Sequence, residues 1–314
     1  MLQDLEAADE ICNQVDRLLR AADAYGRFPT PVDDLVRASQ LSEADDYVLD
    51  ESLISKAPAY LRTLLRSARH KIRGLIDRRA RVIHISPAIE HEGKRRFVKL
   101  HETTHQILPH QQDLLYADDH ETLSRSTSRL FEREANQGAA ELLFQRDLFA
   151  RDAADLQISV AAIWELAARY GSSFHAAARR YAETHPAAVA AIVLEPTPSQ
   201  QDPPMWRREE VMATPAWVSR FGPPAWPRRV SAFTYPFVAA LDVPQLSSVR
   251  MRDLTGTPVE VSVDTCRTPY HSFLLLWVPP RHRLPRLTQP RAVRLIEQGE
   301  RSNAGDYTRV GYLS

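Results

Sequence analysis

The sequence predicts an α+β protein, and three observations carry that prediction. Apolar residues recur at helical spacing through most of the first 185 residues. The stretch KIRGLIDRRARVIHIS interrupts them with two short apolar runs around a polar turn. After His185 the composition shifts, because 17 of the 22 prolines and four of the five tryptophans lie there.

The first helix is expected from Asp4 to about Ala22, with Ile11, Val15, Leu18 and Leu19 on one side and Pro29 and Pro31 beyond its end. Pro31 opens a second short helix that turns Val32, Leu35 and Val36 inward, and Leu53 to His70 reads as another. Ile72, Leu75 and Ile76, then Val82, Ile83 and Ile85, flank Asp77 to Arg79 as a β-hairpin. A long amphipathic helix should run from about Glu92 to Leu108, stopped by Pro109, and a further one should cover residues 121–146. In ISVAAIWELAARYGSSFHAAARRYAETH two helical patterns meet at Gly171, Ser172 and Ser173, in the manner of a helix-turn-helix. VEVSVDT and SFLLLWV read as strands. The expected division is therefore residues 1–150, a helix-turn-helix-like segment and linker at 151–200, and a separate β-rich domain at 201–314. The late aromatic residues Trp206, Trp217, Trp226, Phe233 and Tyr235 are expected in a core or a domain interface.

Forty basic side chains balance forty acidic ones, which removes any global electrostatic reason to expect a nucleic-acid or membrane-surface protein. Cys12 and Cys266 form neither a disulfide framework nor a thiolate cluster. The first residues are acidic and amphipathic, and no later apolar run reaches the length of a membrane span. The expectation is a cytoplasmic protein with reduced thiols.

The motif that carries chemistry is HETTH. On the predicted helix, His101 and His105 lie one turn apart with Phe97, Val98 and Leu108, whereas Arg95, Arg96, Lys99, Thr103 and Gln106 fall on the opposite side. Two imidazoles at that spacing can reach one ion, and zinc accepts such nitrogens readily. Glu102, displaced round the helix, is placed to take a proton from water beside the ion. A catalytic zinc also wants a third protein ligand. In RLFEREANQGAAELLF, Glu132 shares a face with Ala135, Asn136, Ala139 and Leu143, a stripe expected to be buried. A carboxylate there needs a partner, so Glu132 is the expected third ligand, with Asn136 bonded to it. Glu134 falls with Gln137 and Glu141 on a face expected to be solvated. Gly138 and the neighbouring alanines should allow this helix to approach the HETTH helix closely.

A hairpin followed by RRFVKLHETTHQILPHQ and FEREANQGAAELLF resembles the ImmA/IrrE family of zinc metallo-endopeptidases, over about residues 10–185. The resemblance implies a zincin-like domain in which His101, His105 and Glu132 hold Zn2+ and Glu102 is the catalytic glutamate. It also implies a cytoplasmic enzyme, tied to stress response or mobile elements, that cleaves a helix-turn-helix repressor, and a C-terminal domain that is sensor-like. The chain departs from the family pattern at Gly138 and at Phe144 and Gln145, where an aromatic and a proline are usual.

Tyr116, His110 and His120, between the two motif helices, are candidate donors to a developing oxyanion. Two other classes stay open. One is a non-enzymatic regulator that binds DNA through residues 157–184, disfavoured because SSFHAAARRY offers few long polar side chains for base edges. The other is a zinc-binding partner module whose activity is latent.

Overall fold

In the computed structural model, residues 7–44, 74–77, 80–112, 125–196, 205–243, 247–268 and 271–279 are described. The helix expected at Leu53 to His70, and Tyr116 and His120, lie outside them. Around the HETTH helix, α3 (Glu92–Ile107), the other early elements assemble. Helix α1 (Ala8–Ala21) buries Ile11, Val15, Leu18 and Leu19, and α2 (Val32–Ala38) buries Val32, Leu35 and Val36. A small sheet is ordered β1-β3-β2, with β1 (Ser42–Glu43) parallel to β3 (Val82–Ile85) and β2 (Gly74–Asp77) antiparallel to it at the edge. The predicted hairpin is therefore present.

Helix α3 ends at Leu108, whose backbone turns extended just before Pro109. The expectation of a polar outer face on α3 is corrected by its packing. Thr103 is fully buried, and Lys99 is drawn inward to Asp33 of α2 at 2.9 Å and Glu43 of β1 at 2.6 Å. Burial works against the Lys99 charge, but the two carboxylates outweigh it and hold the ammonium above the ordinary lysine range.

Helix α4 (Arg125–Leu143) lies against α3 at very short range. A β-carbon on Gly138 would stand 2.3 Å from Cγ2 of Thr104, so only glycine permits this approach. Helices α5 (Leu148–Asp155), α6 (Val160–Tyr170) and α7 (Phe174–Thr184) follow. Ser159 and Ser173 cap α6 and α7 by accepting from Ala162 and Ala176, and Gly171 closes α6 with a left-handed φ of 67°. The turn between α6 and α7 rests on the start of α3, where a β-carbon on Gly93 would meet the Ser172 and Ser173 backbone at 2.5 Å.

The second sheet has six antiparallel strands in the order β6-β5-β4-β9-β8-β7. They are β4 (Val189–Pro196), β5 (Met205–Ala213), β6 (Arg229–Ser231), β7 (Ser248–Arg252), β8 (Pro258–Arg267) and β9 (Ser272–Trp277). Side chains alternate between two cores. Ala191, Val193, Phe273 and Leu275 join the core of the helices, whereas Ala190, Ile192, Leu274 and Leu276 meet Trp206, Trp217 and Phe237 on the other face. That outer core is closed by α8 (Pro215–Phe221) and a 3-10 turn at Pro236–Leu241. Phe233, expected inside, is 89% exposed.

The sheet thus starts at Val189, inside the stretch expected to be helical segment and linker, and shares a core with the helices. By contacts, Met1–Pro279 form one compact unit. Residues 280–314 lie outside the described residues. No helix among the described residues is long and apolar enough to cross a membrane.

Candidate metal centre

His101 and His105 project from successive turns of α3, as their four-residue spacing dictates. Their rings stand edge to face with centroids 4.8 Å apart, and their Nε2 atoms approach to 3.2 Å. Glu132, arriving from α4, puts one carboxylate oxygen 3.4 Å from His101 Nε2 and the other 3.7 Å from His105 Nε2. One ligand atom from each of the three residues lies within 4.8 Å of the others.

The remaining ring nitrogens fix the tautomers. His105 Nδ1 is 2.6 Å from Oε1 of Gln111, and His101 Nδ1 is 3.2 Å from Oδ1 of Asn136. An amide oxygen only accepts, so each Nδ1 carries the hydrogen and each Nε2 keeps its lone pair. Two such lone pairs facing each other at 3.2 Å repel unless a cation or a proton lies between them. Two nitrogen ligands on a tetrahedral ion, with bonds of about 2.0 Å, stand about 3.3 Å apart. The donor set therefore fits a metal ion, and the His-His-Glu cluster could hold one.

The electrostatics agree. The neighbouring side chains of His101 and His105 hold the Glu132 carboxyl far below the ordinary carboxylate range, against the opposing effect of burial. Burial pushes His101 down, yet contact with Glu132 and the nearby charge of Glu102 raise its pKa on balance. Glu102 itself is only 7% exposed and lies against the edge strand, where a β-carbon on Gly74 would stand 2.6 Å from its Oε1.

The structure brings His101, His105 and Glu132 together, with Glu102 on the same helix near enough to act on the charge of His101, but by a different packing from the one expected. Glu132 is not in a buried stripe, since 59% of its side chain is exposed. The buried carboxylates of α4 are Glu134 and Glu141, at 2% and 3% exposure, on the face expected to be solvated. Glu141 is held by Arg180 at 2.7 and 2.9 Å, and Glu134 by His110 and Gln111, each at 2.7 Å. Asn136 supports His101 rather than Glu132. His110 turns toward Glu134, with Glu10 of α1 3.7 Å from its other nitrogen. Gln111 was missed altogether, and the available signal was Pro109, which folds the next residues back beneath the HETTH helix through bonds to the Leu108 carbonyl.

Residues 62–181 match the family model for the IrrE N-terminal-like domain of peptidase M78. That match, over a minority of the chain, supports membership of the ImmA/IrrE family. The matched range holds α3, α4 and the whole His-His-Glu cluster, and such a domain is metallopeptidase-like. Among solved structures, the chain is similar to a Mycobacterium tuberculosis transcriptional regulator at 14% identity and a TM-score of 0.47, over 86% of this chain and 76% of that one. Among curated proteins, nothing matches.

Proposed function

We propose that this ImmA/IrrE protein is a cytoplasmic zinc endopeptidase. The observation that carries the reading is the cluster of His101, His105 and Glu132, with its two Nε2 atoms aimed at one point and Glu102 on the same helix beside it. Borderline-soft zinc suits two imidazoles and a carboxylate, and three protein ligands leave a position for chemistry. A zinc ion held there would supply Lewis acidity that makes water a nucleophile near neutral pH. The chain's own part falls to Glu102. Its carboxylate takes the proton of the attacking water and returns it to the amine of the cleaved peptide bond.

The substrate proposed is a protein, and within that class a helix-turn-helix repressor whose loss releases transcription, as the resemblance of the sequence motifs implies. The DNA-binding alternative is weakened by the fate of α7. Arg180 is buried against Glu141, and His175 and Arg179, more exposed, are both paired with Glu210 of β5, so the polar side chains of the would-be reading helix already have partners within the fold.

The test separates binding from chemistry. Glu102→Gln should keep one zinc per chain by elemental analysis while abolishing cleavage of a co-expressed repressor, followed by mass spectrometry of fragments. His101→Ala and Glu132→Ala should lose the zinc. Full zinc occupancy in Glu132→Ala would refute the ligand set.

A further inference from the structure

We infer that Gln111 and Glu134 form a positioning relay that sets the tautomer and ring orientation of His105. The inference rests on the metal reading of the cluster and adds two residues to it. Gln111 is fully buried and Glu134 is 2% exposed, so neither can exchange its partners for water. Each link in the relay has a forced direction. Oε2 of Glu134 accepts only, and so does the Phe131 carbonyl, which lie 2.7 and 3.4 Å from Gln111 Nε2. The amide NH2 therefore faces Glu134, and Oε1 is turned to His105 Nδ1 at 2.6 Å. That contact requires a hydrogen on Nδ1, which leaves Nε2 directed at His101 and Glu132.

Glu134 is held in turn by His110 Nε2 at 2.7 Å. Because α4 carries both Glu132 and Glu134, one helix supplies a ligand and, two positions later, the anchor that orients another ligand. A carboxylate buried only to hold the turn after Pro109 would not need an amide interposed between itself and a ring nitrogen.

The experiment compares the full-length protein with Gln111→Leu, Glu132→Ala, and the exchange Gln111→Glu with Glu134→Gln. In the exchange, the carboxylate at 111 still accepts from His105 and from the new amide at 134, so the bonding directions survive. Zinc affinity is measured by competition with a chromophoric chelator, and site symmetry by the visible spectrum of the Co2+ form. Gln111→Leu should weaken zinc by about 10- to 100-fold and shift the Co2+ bands, and the exchange should return both close to wild type. In the zinc-loaded wild type, 1H–15N correlation of the imidazoles should place the His105 proton on Nδ1, a readout that needs no variant. Unchanged affinity in Gln111→Leu alongside lost zinc in Glu132→Ala would overturn the relay and leave the metal reading standing. A His105 proton on Nε2 would likewise overturn it. A wild type that binds no zinc would overturn both.

Discussion

At the scale of single residues, Gly138 decides how near the two site helices come. Glycine to alanine inside a helix normally gains about 1 kcal/mol. Here the added β-carbon would stand 2.3 Å from Thr104 Cγ2, so the sign should reverse. Gly138→Ala is expected to cost about 1–3 kcal/mol, and adding Thr104→Ala, which removes the methyl it strikes, should recover most of the loss in urea unfolding midpoints. A stabilised Gly138→Ala protein would contradict this packing. The His-His-Glu cluster was legible from HETTH and the following glutamate, yet the reason given for Glu132 was not the one the fold uses. At about 100° per residue, the buried arc of α4 is centred near Phe131, Ala135, Gly138, Ala139 and Leu142, which puts Glu132 at one rim and Glu134 toward the other. A carboxylate at such a rim is read as wet unless its partners are known. Those of Glu134 come from the turn after Pro109, which no helical period of α4 can reveal.

Among the elements, α7 is tied to α4 by a buried ion pair. Glu141 and Arg180 are 4% and 7% exposed at their side chains and form two hydrogen bonds of 2.7 and 2.9 Å. Removing either partner should strand the other charge in the core, so Glu141→Leu or Arg180→Leu alone is expected to cost about 3–5 kcal/mol. The joint change Glu141→Leu with Arg180→Met should cost less than either single change, as judged by chemical denaturation. The helix pair itself was legible from Ser159, Gly171 and Ser173, which are the chemistry of caps and turns. Strand β4 was not. Its sequence VAAIVLEP is apolar without alternation because both of its faces are covered, and a short apolar run of that kind carries no period to mark it as a strand.

Across the whole molecule, the helices and the large sheet are joined by a common core and by a polar clasp at Glu210. His175 of α7 lies 2.7 Å from that carboxylate, and Arg179 also pairs with it. Burial raises the Glu210 pKa, but the contacts with His175 and Arg179 outweigh it and set it below its ordinary 4.5. A carboxyl depressed in the folded state stabilises the fold above its unfolded pKa, and that contribution is lost as pH falls through the folded value. Glu210→Gln should therefore lower the melting temperature at neutral pH and flatten its decline on acidification below about pH 5, which thermal melts across the acid range would measure. An unchanged acid slope would remove Glu210 from the clasp. The α+β class was legible in composition alone, whereas the fusion of both parts was not, because a composition change at His185 marks a change of element type and carries no information about what packs on what.

The stretch that resembles a peptidase ends at residue 181, within α7. The helix continues to Thr184 and leads into β4, whose inward side chains fill the same interior as the HETTH helix. Kinship and foldability therefore draw different borders in this chain: the segment that matches the family shares its interior with strands that lie beyond the match, so its scaffold extends past the matched border.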